Sequence, residues 1–218
     1  MKEKTITTLA RLSECKCRRT VDALNRRGFA ARYCATAAEA ADAVVELGAD
    51  AKTVGLGGSL SVGVLGVRER LAANGAEILD HSAPDATLEE RVAIMRAQQT
   101  CDLFICSVNA VTAAGEIVNV DGTGNRVAAS FFGPAKIVLV AGRNKIVEGG
   151  VAEAIQRVKN VAAPGNAIRL SRNTPCARTG VCSDCDSPER ICRITVILDR
   201  KPSLSDITVL VVDEDLGL

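Results

Sequence analysis

The chain alternates short apolar runs with longer segments in which apolar positions recur every three or four residues. Short apolar runs are typical of buried strands, and the longer segments are typical of helices with one covered face. Because the two kinds of segment follow each other along most of the chain, we predict a mainly parallel sheet covered by helices. The sequence thus predicts an α/β fold in a single domain over residues 1–218.

The individual elements follow from the same pattern. The predicted strands are Phe29–Cys34, Lys52–Leu56, Ala76–Asp80, Asp102–Cys106 (or Phe104–Val108 from the apolar run alone), Glu116–Val120, Lys136–Val140, Ile194–Leu198 and Ile207–Val212. The predicted helices are Ile6–Arg27, Ala37–Leu47, Leu60–Ala73, Thr87 to about Gln98 and Gly150–Val161, with a helical turn at Arg126–Phe131.

Local signals sharpen several of these boundaries. Thr36 with Glu39 and Thr87 with Glu90 have the spacing of capping boxes, which open helices. Pro164 is expected to end the helix that precedes it. The segment 162–193 is rich in Pro, Gly, Cys and Arg, and we interpret it as a long Cys-rich loop inside the domain.

A glycine-rich turn, Gly55–Ser59, joins a predicted strand to a predicted helix. Backbone N–H groups of Gly57, Gly58 and Ser59 would suit a phosphate or carboxylate there, with the Ser61 hydroxyl as a further donor. The stretch lacks the Lys of a Walker motif and the spacing of a dinucleotide fingerprint. The alternative is a tight strand-to-helix turn without a ligand.

A second polar loop interrupts the most apolar block of the chain. The candidate ligand residues of this loop are Asp121, Gly122, Gly124, Asn125 and Arg126. Asn109, which precedes the second strand of the block, is a further candidate. The alternative is that the two glycines only make the turn. If both glycine loops bind one ligand, they must flank the same cleft.

Gly142–Lys145 follows a predicted buried strand at its carboxyl end, where open α/β sheets carry their ligands. Arg143, Asn144 and Lys145 are therefore candidates for contacting an anion, with a solvated turn as the alternative. Glu116 and Asp121 are weak candidates for catalytic carboxylates, because nothing in the sequence pairs either with a partner. The lone His81 suits a structural or surface role better than that of a general base.

Four of the nine cysteines fall within seventeen residues: Cys176, Cys182, Cys185 and Cys192. Four thiolates at this density suit a zinc ion or an iron–sulfur cluster, although the spacing matches neither the common zinc ribbon nor the common ferredoxin run. Free or redox-paired thiols are the alternative. Cys15 and Cys17 do not share a helix face, and Cys34, Cys101 and Cys106 lie in apolar contexts typical of core residues.

Composition narrows the partners. Net charge is +1 and aromatic residues make up 2%, so neither a basic surface nor stacking platforms indicate nucleic acid. No apolar run reaches the length of a membrane span, and the N-terminus lacks the pattern of a signal peptide. We therefore expect a cytoplasmic protein that binds an anionic small molecule. The composition is compatible with either a monomer or a homo-oligomer.

Several stretches together resemble the lactate-utilisation (LUD) domain family in its short stand-alone bacterial form. They are G-L-G-G-S at 55–59, V-N-A-V-T-A-A-G-E-I-V-N-V-D-G-T-G-N-R-V-A at 108–128, F-G-P at 132–134, G-R-N-K-I-V at 142–147, A-A-P-G-N-A at 162–167 and P-C-A-R-T-G-V-C-S-D-C-D-S-P-E-R-I-C at 175–192. Leu60-Ser61 departs from the family's usual Met-Thr, which puts the ligand preference of that loop in question.

The resemblance implies a fold like that of ribose-phosphate isomerase, glucosamine-phosphate deaminase and the CoA transferases. It also implies a part in oxidising lactate to pyruvate, beside iron–sulfur partner proteins. Two other functions stay open: an isomerase- or transferase-like enzyme acting on a sugar phosphate or acyl-CoA, and a non-catalytic ligand-binding or electron-relay partner. Fold alone does not decide between them.

Overall fold

A computed structural model describes residues 2–218, with side chains described from residue 5 onward. Helices and strands alternate as the apolar pattern predicts. The helices are α1 (Lys2–Arg26), α2 (Ala37–Leu47), α3 (Leu60–Val64), α4 (Val67–Ala73), α5 (Leu88–Ala97), α6 (Asn125–Ala129), α7 (Val151–Arg157), α8 (Ala163–Arg169) and α9 (Pro175–Thr179). The strands are β1 (Ala30–Cys34), β2 (Thr53–Leu56), β3 (Glu77–Asp80), β4 (Leu103–Ser107), β5 (Ala110–Thr112), β6 (Ile117–Asp121), β7 (Lys136–Gly142), β8 (Ile146–Val147), β9 (Ile194–Leu198) and β10 (Ile207–Val212).

Six strands form a parallel sheet in the order β1-β10-β7-β4-β2-β3. The α/β fold with a mainly parallel sheet is thereby confirmed. β4 lies between β7 and β2, so the segments that follow these three strands meet at one edge of the sheet. A second, mixed sheet of four strands has the order β8-β5-β6-β9, and its short members β5 and β8 were not predicted.

The core is divided between the two faces of the parallel sheet. Alternate residues of each central strand point to opposite faces, as the period of a strand requires. Leu103 and Ile105 pack with α2, α3 and α4 on one face, whereas Phe104 and Cys106 pack with α1 and the second sheet on the other. The second sheet packs its outer face on α7 and the turn after it, through residues such as Val118 and Ala154.

The predicted helix Leu60–Ala73 is wrong in one respect, because the chain forms two helices there. Gly66 separates α3 from α4 and takes a left-handed conformation with φ of 59°. A left-handed residue cannot continue a right-handed helix, so the axis breaks at this glycine.

The prediction that the helix ends before Pro164 is also wrong. After α7, residues Val158–Ala162 form a π-helical turn, and α8 continues through Pro164 in its first turn. Pro164 has no N–H for an intrahelical bond, and the wider turn, in which Ala163 N–H reaches Val158 O, accommodates it. The segment 162–193 is therefore partly helical, and irregular structure dominates it only after α9.

Both predicted N-cap residues cap their helices, but a complete capping box forms only at α5. The Thr36 hydroxyl accepts from Glu39 N–H at the start of α2, while the Glu39 carboxylate accepts from Ala35 N–H. Thr87 and Glu90 form the complete box at the start of α5. In the part of the chain that the structure describes, no helix is both long enough and apolar enough to cross a membrane.

Candidate functional site: a basic cavity at the carboxyl edge of the sheet

A cavity of about 350 Å³ opens where β2, β3, β4 and β6 end and where Lys145 follows β7. Both glycine loops line it, through Gly57–Ser59 on one side and Asp121–Gly122 with Asn125–Arg126 on the other. The structure therefore brings the two predicted loops to one cleft, at the edge where open α/β sheets bind ligands. A volume of this size suits a small molecule.

The first loop offers fewer donors than the sequence indicates. Gly57 N–H bonds to Ile105 O at 3.0 Å and extends the strand pairing. Gly57 is a glycine because of close packing, since a Cβ there would lie 2.6 Å from Cys106 Cβ. The Ser59 side chain caps α3 by accepting from Val62 N–H. The N–H groups of Gly58 and Ser59 have no acceptor among the described contacts and lie beside the cavity.

The second loop is organised by Arg126, whose guanidinium is fully engaged. It donates to Ser107 O, Val120 O and the side-chain oxygens of Asn109 and Asn119 at 2.7–3.1 Å. Its Nε lies 3.2 Å from an Asp121 carboxylate oxygen. Because Ser107 ends β4 and Val120 lies in β6, Arg126 ties the two sheets together, and its charge is partly offset by Asp121.

Asn109 has a similar structural part. Its side-chain oxygen accepts from Val120 N–H at 2.8 Å, and its carbonyl oxygen accepts from the Arg157 guanidinium at 2.6 Å. Asn109 lines the cavity, so it shapes the wall while its hydrogen-bonding oxygens are occupied.

Lys145 is buried in the wall of the cavity, with 2% of its surface exposed. Its Nζ lies 2.7 Å from Ser61 Oγ and 3.2 Å from Ser107 Oγ. Burial, followed by the charges of Arg157 and Arg126, lowers the pKa of Lys145 to about 7. No acidic side chain forms an ion pair with it within the described residues, so near neutral pH a large share of this amine is uncharged.

Three further arginines line the cavity: Arg91, Arg169 and Arg172. Arg91 is half-buried and donates to the carbonyl oxygens of Ala83, Pro84 and Ala86. Arg169 bonds to Asn166 Oδ1 at 2.8 Å. Arg172 is exposed and makes neither an ion pair nor a side-chain hydrogen bond with the described chain, so its guanidinium is available to a ligand.

His81 also faces this cavity. Its Nδ1 lies 3.2 Å from the amide nitrogen of Gln98, which also donates to Leu56 O and Leu79 O at 2.9 and 2.8 Å. Its Nε2 lies on the side of Gly58, so the imidazole borders the first glycine loop.

Four residues predicted to bind the ligand or to be catalytic lie outside the cavity wall: Arg143, Asn144, Gly124 and Glu116. Arg143 pairs with Asp213 and Asp215, and Asn144 holds the backbone of Leu216 and Gly217. The turn after β7 directs only Lys145 into the cavity, and Arg143 and Asn144 instead hold the C-terminal segment. The N–H of Gly124 bonds to Asp121 Oδ1.

Glu116 is placed as a structural residue. It pairs with Arg27 at the end of α1 and accepts from the Thr112 hydroxyl in the β5–β6 turn. These contacts tie α1 to the second sheet and occupy both carboxylate oxygens. Asp121 does line the cavity, but its carboxylate accepts from Thr123 and Gly124 N–H groups and pairs with Arg126.

The four clustered cysteines are free thiols, each partly buried. Burial raises the pKa of Cys192, and negative charge on Cys182, Cys185 and Cys176 raises it further while Arg190 lowers it. Among the residues that the structure describes, no group of three or more His, Cys, Asp or Glu side chains is arranged to hold a metal ion.

The cysteine segment borders the cavity. Arg193 N–H bonds to Asp121 O at 2.9 Å, and a Cβ on Gly122 would lie 3.1 Å from Ile191 O. Ile191 itself lines the cavity. Ordering or disordering of residues 180–193 would therefore change the conformation of the second glycine loop.

The sequence model of the LUD domain family matches residues 17–212 of this chain. The chain belongs to the LUD domain family. This family is associated with lactate utilisation. Among solved structures, a DUF162 family protein from Deinococcus radiodurans resembles this LUD domain with 16% identity, 92% of this chain and 98% of that chain covered, and a TM-score of 0.51. At this identity the likeness shows the fold.

The structure of eIF2B beta from Chaetomium thermophilum matches more weakly, with 12% identity, 65% of this chain and 42% of that chain covered, and a TM-score of 0.29. No curated protein matches the chain.

The sequence did not indicate several residues of the cavity: Arg91, Ser107, Asn166, Arg169 and Arg172. Arg169 and Arg172 lie at the end of α8 and just beyond it. The prediction that the helix stops at Pro164 concealed their position, and the π turn that carries the chain past Pro164 has no simple sequence signal.

Proposed function

We propose that this LUD domain protein is a component of organic-acid oxidation of the lactate-to-pyruvate type, and that it binds an anionic small molecule in the basic cavity. One observation carries the proposal. The wall carries four arginines and one lysine against a single acid, Asp121; the basic residues are Arg91, Arg126, Lys145, Arg169 and Arg172.

The arginines suit a carboxylate or a phosphate, because a guanidinium forms two parallel hydrogen bonds with either group. Arg172 and Arg169, at the open side, are the groups we expect to contact the anion. The free N–H groups of Gly58 and Ser59 would add neutral donors. This division leaves Arg126 to hold the cavity in shape.

Calorimetric titration tests the binding. We expect a subset of L-lactate, pyruvate, inorganic phosphate, ribose 5-phosphate and coenzyme A to bind, and neutral lactamide to fail. Losing a charge-assisted hydrogen bond costs roughly 1.5–3 kcal/mol, so Arg172→Ala should weaken binding by about 10-fold or more. Arg96→Ala, an exposed arginine of α5 outside the cavity, is the matched control.

The same titration separates the alternatives. Preference for 2-hydroxy or 2-oxo acids supports the organic-acid function, whereas preference for ribose 5-phosphate or coenzyme A supports the isomerase- or transferase-like enzyme. Failure of every anion to bind, or equal affinity in the Arg169→Ala, Arg172→Ala double variant, would overturn the proposed site. Loss of growth on lactate, but not on pyruvate, after deletion of the coding sequence in the source organism would support the metabolic assignment.

We further propose that at least three of Cys176, Cys182, Cys185 and Cys192 bind one metal centre, either a zinc ion or an iron–sulfur cluster. Their clustering, four cysteines within seventeen residues, supports this. Thiolates are soft anionic ligands that suit both groups. Metal binding would draw the sulfurs together and order the segment that borders Gly122.

A further inference from the structure

Lys145 has the environment of a reactive amine more than that of an anion-binding charge. It is buried, its Nζ contacts two serine hydroxyls, and it faces the cavity. A lysine that only attracted an anion would gain from exposure of its charged head, as the arginines of the rim do. Burial of the amine among neutral hydroxyls, with no carboxylate beside it in the described part of the chain, instead disfavours the ammonium form.

The hydrogen bonds specify which atoms are available. Ser61 Oγ donates its hydrogen to Leu216 O at 2.9 Å, so it accepts a hydrogen from Lys145 Nζ. The one hydrogen-bond partner of Ser107 Oγ among the described residues is Lys145. Ser61 thus orients the amine, and Ser107 keeps a hydroxyl proton that it can donate.

From this geometry we infer that Lys145 is a covalent nucleophile that forms a Schiff base with a small carbonyl compound bearing a carboxylate or phosphate. The inference rests on the proposed function, because the rim arginines are what would hold the anionic group. The carbonyl group then extends inward to the amine. An amine lowered to a pKa of about 7 supplies the free lone pair at neutral pH.

The step balances without a further reactant. The Nζ lone pair attacks the carbonyl carbon, and the carbonyl π electrons move to oxygen, which takes a proton from the Ser107 hydroxyl. Ser107 regains a proton from the nitrogen, giving a neutral carbinolamine. A proton from solvent then lets the oxygen leave as water, and the nitrogen lone pair completes the C=N bond of the protonated Schiff base.

Reductive trapping tests the inference. The wild-type protein is incubated at pH 8 with sodium cyanoborohydride and either pyruvate or glyceraldehyde 3-phosphate, and the modified lysine is located by peptide mass spectrometry. At this pH a lysine of pKa about 7 has on the order of 100-fold more free amine than an ordinary lysine. We therefore expect the adduct to concentrate at Lys145, with exposed Lys136 as the internal comparison.

Controls separate the inference from the proposed function. Lys145→Met should abolish the dominant adduct and Lys136→Met should leave it unchanged, while Arg172→Ala should slow trapping of pyruvate but not of uncharged acetone. Inorganic phosphate should protect Lys145 in the wild type, a readout that needs no variant. The pyruvate and glyceraldehyde 3-phosphate arms distinguish a carboxylate from a phosphate as the anionic group.

Binding of L-lactate, which has no carbonyl group, with no adduct at Lys145 from either carbonyl compound would overturn the covalent inference alone. Modification spread evenly over the lysines would overturn it as well. Absence of both anion binding and adduct would overturn the proposed function together with the inference.

Discussion

Lys145 carries an energetic cost that depends on pH. Its folded pKa is about 7, whereas an unfolded lysine titrates near 10.4. Between these values the unfolded chain binds a proton that the folded chain does not, so the contribution of Lys145 to stability rises with pH across this window. Below about pH 7 both states are protonated and the full cost of burying the charge is present.

Lys145→Met removes this dependence. The free energy of unfolding of the wild type, relative to that of the variant, should rise by roughly 2 kcal/mol between pH 7 and pH 9. Urea denaturation of both proteins at several pH values measures it. A difference that stays flat across this range would show that the amine is charged in the folded protein.

Arg126 and Arg172 line the same cavity, but substitution should separate their roles. Arg126→Ala removes the guanidinium donors to the carbonyl oxygens of Ser107 and Val120 and the ion pair with the Asp121 carboxylate. Breaking a buried charged network of this kind costs about 3–5 kcal/mol, whereas Arg172→Ala at the exposed rim should stay within about 0.5 kcal/mol. Equal unfolding midpoints in urea for the two variants would contradict this division.

At the scale of elements, the break between α3 and α4 gives a matched pair of glycines. Neither Gly63 nor Gly66 has an atom within 4 Å of an added Cβ, so substitution by alanine tests the backbone alone. Gly63 lies inside α3, and Gly63→Ala should stabilise the protein by about 0.5–1 kcal/mol.

Gly66 is left-handed, and Gly66→Ala should destabilise the protein by about 1–2 kcal/mol. Thermal and urea unfolding of the two variants measure the difference in sign. Stabilisation by both substitutions would mean that α3 and α4 join into the single helix that the sequence predicts.

The cysteine segment provides the second prediction at this scale. Protein prepared without oxygen should contain iron or zinc in stoichiometric amount, and the Cys182→Ser, Cys185→Ser variant should lose it. A Cys15→Ser variant, which changes an exposed cysteine of α1, serves as the control. Metal-free wild-type protein from such a preparation would end the metal proposal.

For the molecule as a whole, the sequence predicted what depends on local patterns and missed what depends on distant pairing. Runs such as Lys136–Val140 carry apolar residues on both faces of the strand and therefore predict a buried strand. β8 has two residues and exists because Ile146 pairs with Val111, a contact that no local pattern signals. For the same reason the sequence did not indicate Ser107 and Arg172, which reach the cavity only when β4 and α8 are in place.

The glycine loops were recognisable because their composition contrasts with the apolar runs around them. Their chemistry was harder to predict. Gly57 N–H and the Arg126 guanidinium, both natural candidates for binding an anion, are occupied by the protein's own carbonyl oxygens. The groups that remain available to a ligand are the arginines at the rim and the amine of Lys145. The sequence therefore predicted where the cleft lies better than it predicted which residues contact the ligand.

The central claim is that the cavity between the two glycine loops holds a small anion. The most direct measurement is a crystal structure of the protein grown with the tightest-binding anion from the titration. We predict the anion within hydrogen-bonding distance of the Arg172 or Arg169 guanidinium and beside Gly58, with any carbonyl group directed to Lys145 Nζ. An anion bound elsewhere on the surface, with this cavity holding only solvent at saturating ligand, would contradict the account.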